Sequence, residues 1–182
     1  TRLTYNDIQQ VRIVRGVNYY VVEVLYKVED VLPLDDNGKY AAIDLGINNF
    51  ATLTTNLEHD IPLVISGKEI KSYNHWYNKE LYNRKSILEK RNGTKNSKYI
   101  NQITIKRNNK ISDFMHKSSR YIVNQLVSKG ITTLVIGKNK NLKQDTQMVK
   151  SNKQNFVQIP YNSFIDKLIY KCYLCGISVK LI

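Results

Sequence analysis

One carboxylate set inside an apolar strand constrains this chain more than any other feature. Residues 41–53 read Ala41-Ala42-Ile43-Asp44-Leu45-Gly46-Ile47-Asn48-Asn49-Phe50-Ala51-Thr52-Leu53. Asp44 interrupts the apolar run, a glycine turn follows, and a second apolar strand starts at once. A lone charge buried in a sheet is costly unless something pairs with it. The pattern therefore predicts that Asp44 is aimed at a metal ion or a partner cation.

The elements around it follow from periodicity. Residues 9–15 and 17–29 are aromatic and β-branched, and Arg15-Gly16 between them predicts a hairpin. Leu32-Pro33-Leu34-Asp35-Asp36-Asn37-Gly38 is a turn cluster and the expected domain boundary. Strands are expected at 39–45, 49–55 and 61–66, joined by short polar links into an antiparallel meander. Residues 71–91 predict a helix with Tyr73, Trp76, Tyr77, Leu81, Ile87 and Leu88 on one face, broken by Asn92-Gly93-Thr94. A second helix is expected over about 96–129, with Ile111, Phe114, Met115, Ser118, Ile122, Val123 and Leu126 as its apolar stripe and Lys129-Gly130 at its end. A buried strand at 131–136, an aperiodic loop at 138–155, a helix from Pro160 to a terminator at Gly176, and a strand from Val179 complete the chain. The order βββ-αα-β-α-β is that of an α/β, RNase H-like mixed sheet, in which Asp44 falls near the carboxyl end of the central strand, where ligands of such sheets gather.

Charge narrows the partner. The sequence carries a formal net charge of +13, and a polyanion, nucleic acid first, is the usual reason to tolerate such self-repulsion. The excess is concentrated: residues 68–120 hold 14 Lys and Arg against 4 Asp and Glu, and the remainder holds 14 against 11. The Asn, Ile, Lys and Tyr bias also fits an AT-rich genome, which adds lysine without functional cause. An apolar fraction of 42% supports a real core, and no run of 18 apolar residues predicts a membrane span. Two cysteines point to reduced thiols and a cytoplasmic protein. The opening Thr1-Arg2-Leu3-Thr4 has neither a signal peptide nor a methionine, as expected of a piece of a longer protein.

Four stretches in order resemble a known family. They are Ile43-Asp44-Leu45-Gly46-Ile47-Asn48-Asn49; Asp113-Phe114-Met115-His116-Lys117-Ser118-Ser119-Arg120; Leu134-Val135-Ile136-Gly137-Lys138-Asn139-Lys140 with Lys143-Gln144; and Asn155-Phe156-Val157-Gln158-Ile159-Pro160. Together they resemble the TnpB-type (OrfB) proteins of insertion-sequence transposons, over nearly all of residues 10–182. The resemblance implies a RuvC-like nuclease that cuts DNA under the direction of a guide RNA. It divides the chain into 1–36, the end of a β-rich guide-binding region, and 37–182, a RuvC/RNase H-like core with a basic helical insert over 68–130. It also implies a three-carboxylate site for two Mg²⁺ or Mn²⁺ ions, one activating water and the other stabilising the leaving oxygen. Asp44 matches the first carboxylate, catalytic and metal-binding. Gly137 stands where the usual second motif ends in Glu, and the third carboxylate, with its zinc ribbon, is expected beyond Ile182. Some family members and the related Fanzor proteins place the second Glu on the following strand, which would put it just past Ile182.

Other candidates compete with ordinary readings. Lys79, Arg84, Lys85, Lys90, Arg91, Lys106, Arg107 and Lys110 are read as phosphate contacts, joined by Lys95 and Lys98. The interleaved Tyr73, Trp76, Tyr77, Tyr82 and Tyr99 can stack on bases, although helical spacing favours a core role. His116 and Lys117 are counted with the phosphate contacts, while Asp113 and His116 also suit an ordinary helix pair. Cys172 and Cys175 have the spacing of half a zinc knuckle, but no second pair exists, so buried thiols and no zinc are expected. Asp145 and Asp166 fit turn and helix chemistry better than metal ligation. A cut-open β-rich region would leave free strand edges that favour pairing with another chain. The rival function is an RNA-guided DNA-binding protein without nuclease activity, favoured by Gly137. A basic domain on ribosomal or other RNA leaves Asp44 unexplained.

Overall fold

Strict alternation in β3 (Tyr40–Leu45) decides how the protein layers: Ala41 and Ile43 are buried, while Ala42 and Asp44 are exposed. The computed structural model describes residues 7–16, 19–94, 96–137 and 158–182. The expected loop at 138–155, with Asp145, the Lys138–Lys140 and Lys143-Gln144 motif residues and Asn155–Val157, lies outside the described residues, as does Lys95.

Five strands form one mixed sheet in the order β5-β4-β3-β6-β7. β4 (Asn49–Thr55) and β5 (Leu63–Ser66) add to β3 antiparallel, with Asp44 opposite Thr52. β6 (Thr133–Ile136) and β7 (Ser178–Leu181) add on the other side in parallel. A register shift between Asn49 and Ala51 turns both Phe50 and Ala51 inward. Phe50 then becomes the hub of the core, edge-on to Phe114 at 5.2 Å and Phe164 at 4.6 Å and stacked with Tyr161 at 6.0 Å.

Three helices follow. α1 (Lys68–Asn92) begins three residues earlier than periodicity predicts, because Gly67 rather than an apolar residue sets its start. A Cβ on Gly67 would lie 2.1 Å from the Ile47 carbonyl oxygen, and the Gly67 amide donates to Asn48 at 2.8 Å. α2 (Lys98–Ser128) is about 46 Å long at about 1.5 Å per residue. The Ser97 hydroxyl caps it by accepting from the Ile100 amide at 3.3 Å. Gly130, at φ 64°, ends it: its amide donates to Val127 and that of Ile131 to Leu126, so two carbonyls that the helix leaves open are satisfied. α3 (Tyr161–Tyr173) closes in the same way, Gly176 bonding Tyr173 and Ile177 bonding Cys172.

The second half of α2 and all of α3 cover one face of the sheet, burying Ile111, Phe114, Met115, Ile122, Phe164 and Leu168 against Ile43, Leu134 and Ile136. The first half of α2 pairs with α1 instead. Ile87, expected on the apolar face of α1, is therefore 54% exposed, because that end of the helix has no sheet beneath it. Cys172 is fully buried in the core, which pushes its thiol up to about 12. β1 (Ile8–Arg15) and β2 (Tyr20–Tyr26) form a separate antiparallel hairpin, as expected. Its apolar residues are exposed on both sides, Ile13 at 70%. The segment after it is tied to the core through Leu34 N–H to Gly176 O at 2.8 Å and Asn37 Nδ2 to Gly130 O at 2.9 Å.

Candidate functional site: a strand-edge carboxylate and a basic helical hairpin

The parallel register fixes the surroundings of Asp44. Ile43 pairs with Ile136 and Ile136 with Leu181, so Asp44, Gly137 and Ile182 form one row across the carboxyl ends of β3, β6 and β7. The Gly137 amide donates to Ile43 O at 3.4 Å and that of Ile182 to Ile136 O at 3.1 Å, which holds the row together. Among the described residues, chain neighbours aside, no atom lies within 4 Å of where a Gly137 Cβ would stand. The position is empty by residue choice, not by steric need.

The expectation of a buried, paired carboxylate is corrected. Asp44 is exposed on the face that the helices leave uncovered, along with Ala42, Thr54, Val64 and Lys180. Among the described residues no hydrogen bond or ion pair engages its carboxylate. A solvated carboxylate costs little, so burial energy no longer argues for a metal at Asp44. The described residues contain no group of three or more His, Cys, Asp or Glu able to hold a metal ion, so they fit one ligand of the implied centre and do not make the centre. Asp166 is exposed on α3, in the helical layer rather than in the Asp44 row.

The basic residues fall into two groups. Lys79, Lys85, Lys90 and Arg91 are exposed along α1. The others bind the hairpin together: Arg84 lies 4.4 Å from the Tyr99 ring, Lys106 5.4 Å from Trp76, Arg107 5.8 Å from Tyr77 and Lys110 5.8 Å from Tyr73. Each such contact contributes about 0.5–1 kcal/mol at an exposed site. These aromatic rings thus serve as rungs between α1 and α2. Arg107 is the most committed. Its Nε and Nη2 donate to Asn74 Oδ1 at 2.8 and 2.7 Å, and Nη2 also donates to Gln158 O at 2.8 Å. Burial lowers its pKa. It anchors the hairpin to the segment before α3 and has little left for phosphate. Asn78 and Gln158 exchange side-chain bonds at 3.0 and 3.1 Å beside it; Gln158 belongs to the motif at residues 155–160, whereas Asn78 carried no signal in the sequence.

Lys117 is exposed and pairs with Asp113 at 2.7 Å, one turn apart, so Asp113 takes Lys117 as its partner rather than His116. The Asp113 hydrogen bond raises the Lys117 pKa. His116 shifts the other way, lowered by burial first and then by Lys167 and Lys171. Lys171, which the sequence did not single out, is buried and reaches back from α3 to α2. A lysine in the pattern Tyr170-Lys171-Cys172 gives no signal of this in sequence.

Comparisons with known proteins agree with this architecture. No curated protein matches the sequence. Among solved structures, the cryo-EM structure of the Cas12f1–sgRNA–target DNA complex superposes with a TM-score of 0.57 at 16% identity, over 94% of this chain and 41% of that one. The cryo-EM structure of a CRISPR–Cas12f ternary complex superposes with a TM-score of 0.60 at 14% identity, over 94% of this chain and 34% of that one. At such identities the likeness is one of fold, and this chain spans well under half the length of either. The family model OrfB_IS605, described as a probable transposase, matches residues 23–143, more than half of the sequence. A match of that extent, over a sheet and helical hairpin arranged as described, means that this chain belongs to the OrfB family of probable transposases.

Proposed function

We propose that this chain is part of an RNA-guided DNA endonuclease, with an RNase H-like (RuvC-type) core that contributes Asp44 as a divalent-metal ligand. The observation that carries the reading is the position of Asp44: the carboxyl end of the central strand in a sheet ordered β5-β4-β3-β6-β7, with parallel neighbours on one side. Membership of the OrfB family and the fold shared with guide-RNA and target-DNA complexes support guide RNA and DNA as partners. The exposed Lys79, Lys85, Lys90 and Arg91 supply cations for phosphate along α1. With one metal ligand present, the described residues bind nucleic acid without cutting it.

A second reading, an RNA-guided DNA-binding protein without nuclease activity, is favoured by Gly137 and by the unpartnered, inexpensive Asp44. Paramagnetic Mn²⁺ separates the two. In ¹H–¹⁵N spectra, Mn²⁺ should broaden the amides of residues 43–46 and 136–137, and Asp44→Asn should remove the effect. Broadening confined to other acidic surfaces would leave the non-cutting reading in possession.

A further inference from the structure

Lys171 is 3% exposed, yet among the described residues no carboxylate meets it. Its ammonium donates to His116 O at 2.7 Å and to Ser119 Oγ at 2.6 Å. Two of three N–H donors are thereby used and the Tyr170 ring lies 5.7 Å away, but no carboxylate among the described residues balances the charge. Ser119 passes the chain on to Met115 O at 2.7 Å, so the ammonium is held in place by α2. Lys171 also lines a groove of about 500 Å³ between α2 and α3, together with His116, Lys117, Arg120, Tyr121 and Tyr170. Among the described residues no acid lines that groove, although Lys117 at its edge is paired with Asp113. Burial lowers the Lys171 pKa, and repulsion from Arg120 and Lys167 lowers it further, so several cations converge here at mutual cost. Tyr121 and Tyr170 present rings that are 50% and 42% exposed at its rim.

A tie between two helices explains one buried lysine. It does not explain why Arg120 and Lys167 gather round it, with exposed aromatic rings alongside. We infer that the groove between α2 and α3 seats a phosphodiester of a single-stranded nucleic acid, held by Lys171 and Arg120, with an adjoining base against Tyr121 and Tyr170. The inference rests on the nucleic-acid partnership proposed above and adds a second contact surface, on the helical layer and separated from Asp44 by the sheet.

Fluorescence anisotropy with a labelled single-stranded oligonucleotide tests it on the whole chain. Arg120→Gln and Lys171→Met should each weaken binding about fivefold at low salt and flatten the log–log salt slope by about 0.7. Lys39→Gln, at the far end of β3, should change affinity by less than about twofold. An oligonucleotide carrying 5-iodouracil should crosslink under ultraviolet light to the peptides of Tyr121 or Tyr170. Circular dichroism melts accompany each variant, and if Lys171→Met does not fold, the exposed Arg120→Gln decides together with the crosslinks. If Lys85→Gln and Lys90→Gln weaken binding while Arg120→Gln does not, and crosslinks map only to α1 and the first half of α2, the groove is overturned and the hairpin interface stands. If these substitutions leave binding unchanged, the groove is overturned while the nucleic-acid reading stands; if the unsubstituted chain does not bind the oligonucleotide at all, both fall.

Discussion

At position 137 the side chain is a hydrogen, and no described residue beyond its chain neighbours occupies the space beside it. That single choice separates an edge with one carboxylate from an edge with two, because Gly137 is next to Asp44 in the parallel register. Gly137→Glu should therefore fold normally and tighten Mn²⁺ binding by about tenfold or more, since hard-cation affinity rises with the number of carboxylate ligands. Isothermal titration of the wild type, Gly137→Glu and the Asp44→Asn/Gly137→Glu double variant measures it; equal affinity in all three would mean that the row does not converge on a common ion. Only part of this was legible in the sequence. The motif located Asp44 on its strand, because neighbours along a chain determine alternation. What lies above the strand is decided by residues far away in sequence, so the expectation of burial failed. Lys171 escaped notice for the same reason: its partners, His116 and Ser119, are more than fifty residues distant.

Among elements, the hairpin, meander and helices were legible because each has a period of its own. The start of α1 was not, since it depends on a backbone contact between Gly67 and Ile47. Nor was the exposure of Ile87: periodicity gives a helix an apolar face without saying how far its neighbour extends along it. Pairing between elements also sets acid stability. Asp60, in the β4–β5 connection, accepts from Lys129 Nζ at 2.6 and 2.7 Å and so fastens that connection to the end of α2. Hydrogen bonds from Lys129 and then Thr55 hold its carboxyl below the usual carboxylate range. A depressed folded-state pKa contributes stability that is present above the unfolded value of about 3.9 and is lost as pH falls through the folded value. Lys129→Met should lower the melting temperature at pH 7, and that deficit should shrink as pH drops below about 4. A deficit that stays constant down to pH 2 would show that the pair contributes packing rather than charge.

For the molecule as a whole, a formal charge of +13 predicts binding to nucleic acid that is strongly sensitive to salt. Between about 50 and 200 mM salt, affinity for single-stranded nucleic acid should fall at least about tenfold if four or more phosphates are contacted. A flat titration would assign the charge to solvation of the helical surface. The sheet adds a further consequence, for one of its faces is packed beneath helices while the other carries Asp44 in water. Any apolar lid that settled on that bare side would strip hydration from the carboxylate, which would then have to take up a proton or a cation to compensate. Lid and bound proton or cation would favour each other's arrival, so that covering the sheet and neutralising the carboxylate become one thermodynamic event.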